Sequence, residues 1–196
     1  MTLTDVFLQE LLRRYQANFD ITENFTLGDT TYPAYAWFYS LSEKYVLKKE
    51  ATLWAIKAFE HVLFSKVDSV SEDTLDDIMT TITNEAEPIL VRKNEKYPEK
   101  DHMCTYITFI VVSSKDPDEI AQKKIRKFHF DKGYLFNFRG HSEARLAVIS
   151  MESGNVWTNY SGRDIKPLLT DAYSISSDIV KHKNMSTADV LIKSVS

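Results

Sequence analysis

Met103-Cys104-Thr105-Tyr106-Ile107-Thr108-Phe109-Ile110-Val111-Val112 is the one run in this chain that has to be covered on both sides. From Tyr106 to Val112, β-branched and aromatic residues follow one another without strict alternation. That is the pattern of a strand buried on both faces in the middle of a sheet. The rest of the chain must therefore supply two layers to cover it and neighbours to pair with it.

Those layers are visible on either side. Leu8, Leu11, Leu12, Tyr15 and Phe19 recur at helical spacing and predict an amphipathic helix capped by Thr4 or Thr2. Residues 20–31, polar and containing Gly28-Asp29, read as a loop. Tyr32 to Tyr39 is dense in aromatic side chains and suits a strand, either packed into the core or offering an aromatic platform to a ligand. Glu43 to Leu47 and Ala51 to Phe64 extend the strand reading, the latter with some helical character. Leu75, Ile78, Met79, Ile82 and Ala86 form a helical stripe that should stop by Pro88.

Beyond the central strand, Asp116-Pro117-Asp118-Glu119 begins a further helix with Ile120, Ala121, Lys124, Ile125 and Phe128 on one face. Tyr134 to Arg139, Ala144 to Met151 and Asn155 to Asn159 read as strands, the last two joined as a hairpin through Glu152-Ser153-Gly154. Ser161-Gly162-Arg163-Asp164 starts a short helix. The expected architecture is α+β: a mostly antiparallel mixed sheet with a buried central strand and helices packed on it. One globular domain is expected over 1–172, followed by a serine-rich C-terminal tail over 173–196 that ends in a short helix and is mobile or held by a partner.

Composition bounds the function. The 196 residues are 43% hydrophobic with a net charge of −4, so the chain buries a real core and has no overall basic character for a polyanion. Cys104 is the only cysteine, which excludes an internal disulfide and fits a reducing cytoplasm. No apolar run is long enough to span a bilayer, and no membrane partner is expected. Five glycines and no glycine-rich phosphate loop argue against nucleotide chemistry, so no cofactor is expected.

Several polar groups could carry a site. His102, Cys104 and Tyr106 alternate along the central strand and should project from one side, yet one histidine and one cysteine make neither a closed metal site nor a triad. No metal is expected, and Cys104 reads as a small buried hydrophobe. Lys123, Lys124, Arg126, Lys127 and Lys132 interleave with Phe128, His129, Phe130 and Tyr134, a pattern compatible with nucleic acid but also with a basic helix C-terminus. In the richest polar block, strand pairing could bring Arg139, His141, Arg145, Asn159 and Arg163 toward one edge, where three arginines would suit a small anionic ligand; the leading alternative is a set of turn and capping residues with solvated charges.

His102 to Thr108, Phe136-Asn137-Phe138-Arg139-Gly140-His141, Arg145-Leu146-Ala147 and Val156-Trp157-Thr158-Asn159 resemble an uncharacterised family of small bacterial proteins, a domain of unknown function. The resemblance covers most of the chain up to about the Asp164 helix, leaves the tail outside it and implies a single intracellular domain, with no activity to carry over. By order of elements alone, helix, three strands, helix and strand is similar to the restriction-endonuclease-like core. That core would need an acid on one strand and an acid-x-lysine on the next to hold magnesium. Here Glu60-His61-Val62 stands in the tripeptide's place.

The leading expectation is thus a non-catalytic binding or protein-interaction module. The rival is a metal-dependent hydrolase or nuclease built on Glu50, Lys57, Glu60 and His61. Aromatic residues such as Trp37, Tyr39, Phe136 and Phe138, together with open sheet edges, further predict a symmetric homodimer.

Overall fold

The computed structural model describes residues 2–44 and 54–194, with side chains described over 2–40 and 58–183. Its elements in chain order are α1 (Leu3–Tyr15), β1 (Asp20–Leu27), β2 (Thr30–Lys44), β3 (Trp54–Val67), α2 (Glu72–Thr81), a π-helix (Ile82–Val91), β4 (His102–Ser113), α3 (Glu119–Lys127), β5 (Asp131–Gly133), β6 (His141–Ser150), β7 (Val156–Thr158), a 3-10 turn (Arg163–Ile165) and α4 (Lys166–Ser194). The sheet runs β1-β2-β3-β4-β6-β5, with β7 also on β6.

The opening run is β4, and it lies at the centre. Ile110 and Val112 point into one core with Phe7, Leu11, Phe64, Ile149 and Leu169, beneath α1 and α4. Ile107, Phe109 and Val111 point into the other with Leu75, Ile82, Ile125 and Val148, beneath α2, the π-helix and α3. Alternating side chains feed two cores at once, which is why the stretch had to be apolar on both faces. Both neighbours of β4, β3 and β6, run parallel to it, while the outer pairings are antiparallel. The fold is α+β, a mixed sheet between two helical layers.

Local chemistry explains the helix starts. The Thr2 side chain accepts from Asp5 N–H while the Asp5 carboxylate accepts from Thr2 N–H, a reciprocal capping box. Ser71 and Thr74 cap α2 in the same manner, and Asp118 accepts from Ala121 N–H to start α3.

Several expectations are corrected. Residues 20–31 are not a loop: Asp20–Leu27 is an antiparallel strand on β2, joined to it through Gly28-Asp29. As an edge strand it keeps most side chains in solvent, so it lacks the apolar alternation by which strands are recognised. Pro88 does not end its helix, because the chain continues as a π-helix to Val91. Tyr134 to Arg139 is a turn, not a strand, with left-handed φ values of 50° at Leu135, 54° at Phe136 and 65° at Asn137. Its bonds are local, Phe138 N–H to the Leu135 carbonyl and Arg139 N–H to the Tyr134 carbonyl. Phe136 and Phe138 are there 95% and 84% exposed, so their β-propensity reflected no burial.

The expected tail also differs. Residue 172 falls inside α4, which runs on to Ser194. Ala172 and Ser176 are buried, and Tyr173 Oη donates to the Met151 carbonyl at 3.3 Å.

Candidate functional site

The candidate site lies where the β2-β3-β4 surface meets the end of the π-helix. A cleft of about 360 Å³ is lined by Tyr35, Trp37, Phe59, His61, Ile89, Leu90, Val91, Lys93, Glu99, His102 and Thr105. That volume is toward the lower end of the roughly 300–1,000 Å³ of small-molecule sites. Odd-numbered residues of β2 and β3 point to this face, so Tyr35, Trp37, Phe59 and His61 form one aromatic wall. Trp37 sits directly opposite His61 in the register. Ile89, Leu90 and Val91 from the last turn of the π-helix form the facing aliphatic wall. π-Helical turns recur at functional sites, and here the wide turn brings these residues to the cleft.

Two buried imidazoles form the polar part. His61 Nδ1 lies 2.6 Å from Tyr35 Oη. Burial, then the nearby Lys93 charge, pushes the His61 ring down to about 4, so it is neutral at pH 7. His102 Nδ1 is 2.7 Å from the Arg139 carbonyl and its Nε2 is 2.7 Å from Thr105 Oγ1. A carbonyl only accepts, so Nδ1 carries the proton and Nε2 accepts from the threonine hydroxyl. Burial lowers the His102 pKa more than the Arg139 bond raises it, in keeping with that neutral tautomer. At the mouth, Lys93 Nζ and Glu99 Oε1 stand 4.0 Å apart.

A β-bulge decides which residues reach the cleft. Lys57 pairs with His102 but Ala58 with Cys104, leaving Met103 as an extra residue. The expectation that His102, Cys104 and Tyr106 share a side is thereby corrected: His102 turns to the cleft, while Cys104 and Tyr106 face the α1/α4 side. Gly140 is required beside this bulge, since its φ is +70° and a Cβ there would stand 2.2 Å from the Met103 carbonyl oxygen.

The α1/α4 side holds a polar strip. Cys104 Sγ lies 3.6 Å from His141 Nε2, and the thiol is half-buried where full burial was expected. Burial raises its pKa, so the thiol stays protonated at neutral pH. The Arg145 guanidinium stacks 3.5 Å above the Tyr106 ring and stands 3.5 Å from Glu60 Oε1, which also accepts from Thr108 Oγ1 at 2.6 Å.

The five residues expected at one edge separate into different roles. His141 and Arg145 share the strip just described. Arg139 donates from Nη1 to the Pro98 carbonyl at 3.2 Å, and Arg163 stacks 4.1 Å from the exposed Tyr160 ring. The three arginines thus have three different targets.

Asn159 is a buried structural clamp. Its Oδ1 accepts from Leu146 N–H and Gly162 N–H, each at 2.9 Å, while Nδ2 donates to the Phe128 carbonyl at 3.1 Å and the Ala144 carbonyl at 2.9 Å.

Of the hydrolase set, Glu60 and His61 are strand neighbours on opposite faces. Lys57 is described only in its backbone pairing, and Glu50 lies outside the described residues. Among the described residues, no group of three or more His, Cys, Asp or Glu could hold a metal. The basic run along α3 and into β5 is partly engaged, with Lys124 Nζ 2.7 Å from Asp76 and Lys132 Nζ 2.8 Å from the buried Glu87.

Sequence reasoning reached Tyr35 and Trp37 as an aromatic platform, His61 in the hydrolase set and His102 on the wrong side of β4, but missed Phe59, Thr105 and the 89–93 turn as parts of a site. The helix was expected to have ended before that turn, and the bulge that redirects His102 has no local sequence signal.

Among the described residues no helix is long and apolar enough to cross a membrane. No curated protein and no solved structure matches this chain. A family model does match, over residues 4–171, and its description is "Domain of unknown function (DUF8052)". That span holds α1, the whole sheet and the cleft, and by this match the chain belongs to the DUF8052 family.

Proposed function

We propose that this protein is a non-catalytic binding module and that the cleft between the π-helix and the β2-β3-β4 face is its ligand site. The observation that carries the reading is the lining: an aromatic wall, an aliphatic wall and two neutral imidazoles around about 360 Å³. Concave, mostly apolar surfaces with a few placed polar groups are the usual form of small-molecule sites. The polar groups fit binding better than acid–base chemistry. A general base works best with a pKa near the operating pH, whereas His61 is pushed down to about 4 and both nitrogens of His102 are occupied. A cytoplasmic location accompanies this reading, because the sole cysteine is a protonated thiol with no second cysteine to pair with.

The test is ligand-observed NMR with a library of small aromatic fragments, on wild type and on Ile89→Trp, which fills the cleft from its exposed rim. Wild type should bind several fragments at micromolar to millimolar affinity and the variant should lose them. Equal binding by both proteins would sink the proposal.

Self-association is a second reading, favoured by the exposure of Phe136 and Phe138 on a turn held by its own backbone bonds. Light scattering at tens of micromolar should then give a dimer that Phe136→Ser with Phe138→Ser abolishes. A monomer in wild type removes that reading.

A further inference from the structure

We propose that the cleft selects an uncharged, planar aromatic molecule carrying one hydroxyl, and that Nε2 of His61 is the atom that recognises the hydroxyl. The proposal rests on the binding reading above and names the class of ligand it would take.

Planarity follows from the rings of the sheet wall. Tyr35 and His61 lie within 18° of parallel at 6.0 Å, Phe59 and His102 within 14° at 5.9 Å, and Trp37 and Tyr39 within 20° at 6.4 Å. The first two pairs join diagonal neighbours on adjacent strands and the third runs along β2, so near-parallel ring planes recur over this face. A flat guest can continue such a series by offset stacking, with its other face against Ile89, Leu90 and Val91.

Neutrality follows from the charges. The two ionised groups of the lining, Lys93 and Glu99, stand opposite each other at 4.0 Å, and both imidazoles are uncharged at pH 7. A carboxylate or an ammonium entering the cleft would give up its hydration, and the solvated Lys93 and Glu99 charges at the rim, 4.0 Å from each other, return little of that cost. The competing thought is an aromatic cage for a quaternary ammonium, with Tyr35, Trp37 and Phe59 as its walls and Glu99 as the acid. Lys93 at the same mouth opposes it.

The hydroxyl follows from hydrogen-bond capacity. Tyr35 occupies Nδ1 of His61, and among the described residues Nε2 makes no hydrogen bond. A neutral imidazole presents Nε2 as donor or as acceptor according to its tautomer, and a hydroxyl can serve either. The other histidine offers nothing, since Arg139 and Thr105 take both its nitrogens.

The experiment compares four molecules of one shape at pH 7: 2-naphthol, naphthalene, 2-naphthoate and a 2-naphthyl trimethylammonium. Affinities come from competition NMR on wild type, Ile89→Trp and His61→Phe, with circular dichroism confirming that each variant is folded. 2-Naphthol should bind most tightly, naphthalene about three- to tenfold more weakly for want of one hydrogen bond, and both ions at least tenfold more weakly. In His61→Phe, naphthol and naphthalene should become equal; if that variant does not fold, the wild-type comparison of the two decides alone.

Naphthoate or the ammonium binding as well as naphthol overturns the charge selection. Naphthalene matching naphthol in wild type overturns the role of His61. Binding of none of the four, or binding that survives Ile89→Trp, overturns the cleft itself and so fails the underlying reading instead.

Discussion

Asn159→Ala is the substitution whose cost the structure specifies most closely. Asn159 is 3% exposed and its side chain makes four hydrogen bonds, two accepted and two donated, all to backbone groups. They tie β6 at Ala144 and Leu146 to the end of α3 at Phe128 and to the turn at Gly162, just where β7 stops pairing with β6 at Thr158. A typical internal hydrogen bond contributes about 0.5–1.5 kcal/mol net, and a buried group left without a partner costs about 1–3 kcal/mol. Water entering the vacated space would restore part of this. The expected loss is therefore about 4 kcal/mol, a large share of the roughly 5–15 kcal/mol that holds a domain folded.

Urea denaturation followed by circular dichroism measures it as a lower midpoint at unchanged slope. Asn159→Asp is the informative companion. It keeps both acceptor roles and nearly the same shape, but it loses both donors and sets a carboxylate against the Phe128 and Ala144 carbonyls. It should be at least as unstable as the alanine variant at pH 7. A loss below about 1 kcal/mol in either variant would refute the clamp.

Three further outcomes are expected. Val111→Asp puts a lone carboxylate into the core beneath α2 and α3 and should cost at least about 4 kcal/mol, leaving no cooperative thermal transition at 37 °C; a wild-type melting curve would refute the central position of β4. Burial alone would raise the Glu87 carboxyl, but bonds from Arg92, Lys132 and Tyr134 outweigh it and hold the group below its ordinary range. It therefore stabilises above about pH 4.5, and that stability is lost as pH falls through the lowered folded value; Glu87→Ala should cost about 3–5 kcal/mol at pH 7 and less in acid. His61 has the opposite charge chemistry but the same direction of loss. Its folded pKa of about 4 lies below the ordinary 6.5, so the unfolded chain takes up the proton first and about 3 kcal/mol drains away between pH 6.5 and 4. Chemical denaturation across that range should show a shallower slope in a folded His61→Phe variant, and an unchanged slope would contradict the neutral buried ring.

What the sequence disclosed depended on how much of each element is buried. β4 was legible because both its faces need apolar side chains, and α1 and α3 because their stripes and caps are local. β1 was missed because an edge strand with solvated side chains has no periodic apolar signal. The 134–139 turn was misread because Leu135, Phe136 and Phe138 carry strand-like side chains into left-handed or exposed positions. The polar block failed as a single site for a related reason. Arg139 lies in that turn, Asn159 is buried among backbone groups, and Arg163 is on an exposed 3-10 turn, so only His141 and Arg145 share a strand face. The cleft was legible as an aromatic platform in its β2 part and as two separately named histidines, His61 and His102, but not as one site. Its lining comes from four segments between residues 35 and 105, and the parallel pairing of β3 with β4 that joins them is a long-range event.

The most direct measurement is a two-dimensional amide and aromatic NMR map of the protein titrated with 2-naphthol. Saturable shifts are expected at Tyr35, Trp37, Phe59, His61, Ile89 to Val91 and Thr105, with the Cys104, His141 and Arg145 strip on the opposite face unmoved. Shifts centred on that strip, or no saturable shift at millimolar ligand, would contradict binding in the cleft.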